Sequence, residues 1–236
     1  MHYLVAAAVL PALILLFYIR KQDKIEAEPP GLILKLFLLG ALTVIPAGII
    51  EAILTTIFGY VLNESSIAYK FIENFLFVAL TEEWFKRLVT KKVTWKSPEF
   101  NYTYDGVVYA VAVSLGFAAA ENLLYVSEGG LKVAILRALT AIPGHTMFAV
   151  FMGLQYALAK KAHSAADGPL MRRHLRRSLF FPVLIHGFYD FCISVGNVFS
   201  ILLFYAFFIM MLIFAILTVR KLSREDAPVS NEDIFV

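Results

Sequence analysis

The stretch GVVYAVAVSLGFAAAENLLYVS, residues 106–127, is an almost unbroken apolar run with one carboxylate, Glu121, inside it. At about 1.5 Å rise per residue, roughly 20 such residues cross the hydrocarbon of a bilayer as a helix. An ionisable group at that depth costs at least about 2.5–3.5 kcal/mol, so acids inside spans are rare and default to functional candidates. Five more stand in similarly oily surroundings: Glu82 and Glu83, His145, and the pair His186 and Asp190. Carboxylates and imidazoles gathered within a membrane point to proton transfer, metal ligation or water activation.

Composition agrees with a chain that lives in lipid. Of 236 residues 60% are hydrophobic and 17% charged, with a mean hydropathy of +0.74; soluble domains run about 45–50% apolar and about 25% charged. The expected fold is all-α, a polytopic transmembrane helix bundle of about seven spans, near 3–19, 32–60, 67–89, 106–127, 132–159, 179–196 and 198–219. No stretch outside them is long enough for a second folded unit. Residues 1–236 therefore form a single membrane-embedded domain, with 221–236 a polar cytoplasmic tail. The first run, Tyr3 to Ile19, has nothing basic before it and Arg20, Lys21 and Lys24 after it, the reverse of a secretory signal. It reads as a retained span. The single cysteine, Cys192, cannot form an internal disulfide and reads as a small core residue.

Basic residues follow the odd-numbered spans. Seventeen of the 21 Lys and Arg fall after spans one, three, five and seven, while the intervening loops near 61–66, 128–131 and 197 carry none. This alternation places the N-terminus outside and the C-terminus in the cytoplasm. The basic excess is thus a topology signal. Nucleic acid is excluded as a partner, because no stacking aromatics interleave with these charges.

Four motifs carry the chemistry. In Thr81-Glu82-Glu83-Trp84-Phe85-Lys86-Arg87, Glu82 can pair with Lys86 and Glu83 with Arg87 at i, i+4. Adjacent glutamates point about 100° apart, so at least one faces the bundle interior, where burial and a cation tune it as a general base. In Phe117-Ala118-Ala119-Ala120-Glu121-Asn122 the alanines admit a neighbouring helix. Glu121 there lacks a local cation, leaving another helix's backbone or Arg137 as its structural partner; Asn122 can orient it. His145 follows Pro143-Gly144, a pair that loosens or kinks a helix. His186 and Asp190 share one helix face, so the acid can fix the imidazole's tautomer. A shared site requires similar depths, yet Glu121 sits only about 9 Å from the outer end of span four. The preferred resolution is a helix that continues beyond Val126.

Taken in order, Glu82-Glu83-x-x-Lys86, Phe117-x-x-x-Glu121-Asn122, His145 and His186-x-x-x-Asp190 resemble the motifs of the PrsW family of bacterial membrane proteases. That family belongs to the superfamily containing the CAAX prenyl endopeptidases. Glu28-Pro29, Tyr104-Asp105-Gly106, Ser114-Leu115-Gly116-Phe117 and Arg137-Ala138-Leu139 are similar as well, so the likeness covers most of the chain. The CAAX relatives have a histidine where this chain has Glu121, and often an asparagine where it has Asp190; both departures favour PrsW. The resemblance implies a multi-pass protein of the bacterial cell membrane. It also implies site-1 proteolysis, the cutting of a single-pass membrane anti-sigma factor near its extracytoplasmic boundary.

The expected mechanism has Glu82 or, preferably, Glu83 take a proton from water. His145 and His186 then either bind Zn²⁺ together with Glu121 or orient the water and oxyanion directly, while Asp190 holds His186. The competing reading is a proton-coupled transporter using the same residues as a relay, though the matching halves common in transporters are not visible.

Overall fold

The computed structural model describes residues 2–230, and its elements are helices joined by short turns. In chain order they are α1 (His2–Lys21), α2 (Pro30–Leu42), α3 (Val44–Gly59), α4 (Ile67–Ile72), a π-helical segment (Glu73–Ala79), α5 (Leu80–Thr94), α6 (Asp105–Leu139), α7 (Ala141–Ser164), α8 (Gly168–Val195) and α9 (Val198–Arg224). Local chemistry sets the boundaries. Pro30 starts α2, where its missing N–H is harmless. Gly196 ends α8 in the left-handed region at φ 70°, and the Asn197 side chain then caps the N–H of Ser200 to begin α9.

Five helical stretches among the described residues are long and apolar enough to cross a membrane: His2–Lys21, Pro30–Gly59, Asp105–Ser164, Gly168–Val195 and Val198–Arg224. The expected span 67–89 is not one of them. It is assembled from α4, the π segment and α5, and it carries Lys70, Glu73, Glu82, Glu83 and Lys86. Span 32–60 is two helices that meet at Thr43, whose hydroxyl turns back to the Gly40 carbonyl. Spans 106–127 and 132–159 lie in one stretch of 60 residues, bent at Gly130 (φ 65°, ψ −158°) and broken again at Thr140. Pro143-Gly144 lies in the first turn of α7, just after the break at Thr140. Most of the basic 160–177 stretch is helical too, since α7 runs to Ser164 and α8 begins at Gly168 instead of near 179.

The middle of the molecule is α6, buried on every side from Asp105 to Ala119 and packed against α1, α2, α5 and α7. Small residues make this possible. A Cβ added at Gly40 would run into the Val113 carbonyl, and one at Gly116 into that of Phe37, so α2 and α6 touch backbone to backbone. Lipid supplies no hydrophobic drive between helices, which leaves such close contact to hold them. Large apolar side chains on α1, α3 and α9 point outward instead, among them Phe17, Ile53 and Leu202.

At the end of the bundle where basic residues gather, the chain after α9 folds back. Val229 N donates to Asn101 O at 2.7 Å, and Thr103 N donates to Ala227 O at 3.0 Å. Of the expected tail 221–236, residues 221–224 thus complete α9 and 225–230 dock on the turn before α6; 231–236 lie outside the described residues.

Candidate active site

Glu82, Glu83 and Lys86 project from α5, Glu121 from α6, His145 from α7, and His186 with Asp190 from α8. The π segment immediately before α5 winds with an extra residue per turn. That offsets the inward face of α5 from that of α4, a feature frequent at functional sites. Gly187 lets α8 lie against this segment: a Cβ there would stand 3.0 Å from Phe75 Cα and 2.6 Å from its ring.

The centre of the cluster is a buried ammonium. Lys86 Nζ donates to Glu82 Oε2 and Glu83 Oε1, both at 2.8 Å, and contacts His145 Nδ1 at 3.1 Å. The Phe117 ring centroid lies 4.1 Å away. Both glutamates therefore face inward, and the expected Glu83–Arg87 pair is absent. Arg87 instead bonds Ser178 Oγ and the Leu175 carbonyl on α8, and Glu83 takes Lys86 at i, i+3.

Donor counting assigns the rings. An ammonium has three N–H groups and no acceptor, so Nδ1 of His145 must accept and its Nε2 carries the hydrogen. That Nε2 donates to Glu121 Oε2 at 3.0 Å, and Arg137 Nη2 reaches the same oxygen at 2.8 Å. Asn122 acts one step further back: Arg137 Nε donates to its Oδ1 at 2.7 Å, and its own amide donates to Ala8 O. It orients Arg137 rather than Glu121. His186 stands between two carboxylates, with Nδ1 3.0 Å from Glu83 Oε1 and Nε2 2.9 Å from Asp190 Oδ2. Two acceptors require two donors, which is the imidazolium form.

The structure thus brings all six sequence candidates together. α6 remains helical past Val126 as far as Gly129, and Glu121 meets His145 at 3.0 Å.

A cavity of ≈ 440 Å³ opens on this cluster, lined by Glu82, Glu121, His145, His186, Asp190 and Arg137 among others, and a neighbouring one of ≈ 320 Å³ shares Glu82 and Glu121. Glu82 lines both; Glu83 lines neither and is fully buried, its Oε2 without a hydrogen-bond partner. Glu51 of α3 lines both as well, and the sequence reading missed it. The signal was present, a lone acid in the apolar run Gly48-Ile49-Ile50-Glu51-Ala52-Ile53-Leu54.

Three buried donors, from Glu82, Glu83 and His145, lie within 4.8 Å of one another and make a group able to hold a metal ion. It shares His145 with the expected set of His145, His186 and Glu121; Nδ1 of His145 keeps its lone pair, while His186 has Glu83 and Asp190 at its two nitrogens.

Residues 28–217 match the family described as PrsW family intramembrane metalloprotease. Proteins named Protease PrsW from Oceanobacillus iheyensis and Geobacillus kaustophilus are 39% and 38% identical, over 85% and 80% of this chain and 87% and 79% of their own length. Another from Bacillus subtilis is 33% identical over 82% of the chain and 84% of its own length. No solved structure matches. A family of proteases does not fit the transporter reading. With its acids and imidazoles converging on one cavity between apolar helices, the chain belongs to the PrsW family of intramembrane metalloproteases, as a multi-pass bacterial membrane endopeptidase.

Proposed function

We propose that this protease makes the site-1 cut in a single-pass membrane anti-sigma factor, near the extracytoplasmic boundary, with Glu82 as general base. The observation that carries the reading is the convergence of Glu82, Glu83 and His145 on Lys86 at the wall of the cavity. The anti-sigma substrate comes from the family resemblance. The cut position has support from depth, since Asp190 and Arg137 line the cavity close to Gly196 and Thr140, where the helices turn at the end poor in basic residues. In this reading 67–94 crosses the membrane as a seventh span despite its charges, sheltered by α3 and α8, with the N-terminus outside.

Glu82 faces the cavity and Glu83 does not, which reverses the preference drawn from sequence. Glu82 takes a proton from water and returns it to the leaving amine. Lys86 fixes the position of both glutamates. Glu83 and Asp190 hold His186 as a cation beside the cavity, and Arg137 adds N–H donors near Glu121; together these stabilise the developing oxyanion. Lys86 keeps His145 in the tautomer that donates to Glu121.

The donors Glu82, Glu83 and His145 suit Zn²⁺ in chemistry and convergence, and Lys86 Nζ already occupies a cationic position among them. Were Zn²⁺ held by these residues, it would supply Lewis acidity to the water and the scissile carbonyl.

The test is cleavage in proteoliposomes of a single-pass substrate tagged on its extracytoplasmic side. The wild type is expected to release the tagged fragment and Glu82→Gln to leave the substrate intact. Full activity in a Glu82→Gln/Glu83→Gln double variant would overturn the assignment.

A further inference from the structure

We propose that Asp23, Glu28 and Asp105 form a second ion site, for a hard divalent cation of the Mg²⁺ or Ca²⁺ class, at the end of the bundle where the basic residues gather. The three residues come from separate segments: the turn after α1, the residue before Pro29-Pro30 at the start of α2, and the first residue of α6. One carboxylate oxygen from each lies within 4.8 Å of the others. All three side chains are buried, at 8%, 3% and 1% exposure.

Their oxygens are short of partners. Both Oδ atoms of Asp23, Oε2 of Glu28 and Oδ1 of Asp105 are buried with no hydrogen bond. Nearby, Asp226 Oδ2 is in the same condition, while its Oδ1 accepts from Thr103 Oγ1 and from the N–H groups of Tyr104 and Ala227. Among the described residues no lysine or arginine forms an ion pair with any of these acids. Arg20 bonds the main-chain carbonyl of Glu28, at 2.8 Å, rather than its carboxylate.

Buried charges are otherwise paired or coordinate metals. A donor set made only of carboxylate oxygens, with no imidazole or thiolate, selects hard cations over Zn²⁺ or Cu²⁺. The remaining Asp105 oxygen is already oriented, because Asn101 N and Tyr102 N donate to Oδ2 at 3.1 and 2.7 Å. A bound ion would tie the ends of α1, α2 and α6 to the chain leaving α9. The site is separate from the one built by Glu82, Glu83 and His145 and does not depend on the protease reading.

The test uses the full chain, purified in detergent and stripped with EDTA. Binding of Ca²⁺ is measured by equilibrium dialysis and of Mg²⁺ by titration calorimetry, alongside thermal unfolding with each ion. The expected result is saturable binding of at least one ion at one site, with a rise in Tm. Both effects persist in Glu82→Gln and weaken at least tenfold in Asp23→Asn. Asp23→Asn keeps the side chain's size and one oxygen acceptor, so that substitution spares the fold; Glu28→Gln serves as a second variant. No saturable binding of either ion by the wild type, or equal binding by Asp23→Asn, overturns the proposal. So does binding lost in Glu82→Gln but kept in Asp23→Asn, because the ion would then sit at the catalytic cluster.

Discussion

Lys86 Nζ on α5 lies 3.1 Å from Nδ1 of His145 on α7, joining residues 59 apart in sequence through a fully buried ammonium. The same nitrogen holds Glu82 and Glu83, so one cation fixes the position of two acids and the tautomer of one imidazole. Lys86→Met removes the charge and leaves two buried carboxylates facing each other. Breaking a buried pair by deleting one partner costs about 3–5 kcal/mol, so a large fall in Tm in detergent, together with loss of cleavage, is expected. A Tm unchanged within a degree would contradict the arrangement.

Glu82 and Glu83 share Lys86 but face different surroundings. Glu82→Gln is expected to lower kcat by about 10²–10⁴-fold, the contribution of a positioned base, with little change in KM. Groups that act as a unit lose activity non-additively. Hence the Glu82→Gln/Glu83→Gln double variant should be scarcely slower than Glu82→Gln alone. A double-variant rate equal to the product of the two single losses would show that the two glutamates act independently.

Asp190→Asn keeps an acceptor near Nε2 of His186 but removes the negative charge. His186 then has Glu83 at 3.0 Å and Glu82 at 4.0 Å, both on its Nδ1 side, to hold it as a cation. Loss of such a supporting partner typically costs about 10–100-fold in activity. The measurement is kcat on a single-pass substrate beside the melting curve of the variant; a fall in KM alone would not fit this role.

Gly187→Ala tests the packing that seats α8 against the π segment. The new Cβ must push on the Phe75 backbone, which cannot yield as a flexible side chain can. Overpacking of this kind costs about 1–3 kcal/mol. Cleavage should fall as well, since α8 carries His186 and Asp190 away from Glu83. Wild-type cleavage and Tm in this variant would refute the close approach.

The proposed topology is open to labelling. In a Cys192→Ala background, a cysteine at Ser65 should react with an impermeant maleimide added to intact cells, and one at Ala165 only after lysis. The opposite pattern would invert the molecule and move the cavity to the cytoplasmic half.

Much of the site was legible from single residues. Acids and histidines in apolar runs are expensive, so Glu82, Glu83, Glu121, His145, His186 and Asp190 stood out against their surroundings, and all six meet. Glu51 obeys the same rule and shows that it should be applied to every span. Spacing was less reliable as a guide to partners. The i, i+4 rule allowed Glu83 to meet Arg87, yet the interior of the bundle claimed Glu83 for Lys86 and His186 while α8 claimed Arg87. Local rules count neighbours along one helix, whereas a buried group takes the partner that leaves the fewest charges unpaired.

The sequence by itself determined that the chain is helical, dwells in lipid and hides a set of ionisable groups, because hydrophobic length and the cost of buried charge are properties of composition along the chain. Only the tertiary structure decided which oxygen each cation holds, that His186 is engaged at both nitrogens, that Glu82 rather than Glu83 meets the cavity, and that Asp23, Glu28 and Asp105 converge. Those outcomes depend on helix breaks at Thr43, Gly130 and Thr140 and on glycine contacts between helices. These set rotation and depth, quantities that no one-dimensional pattern carries.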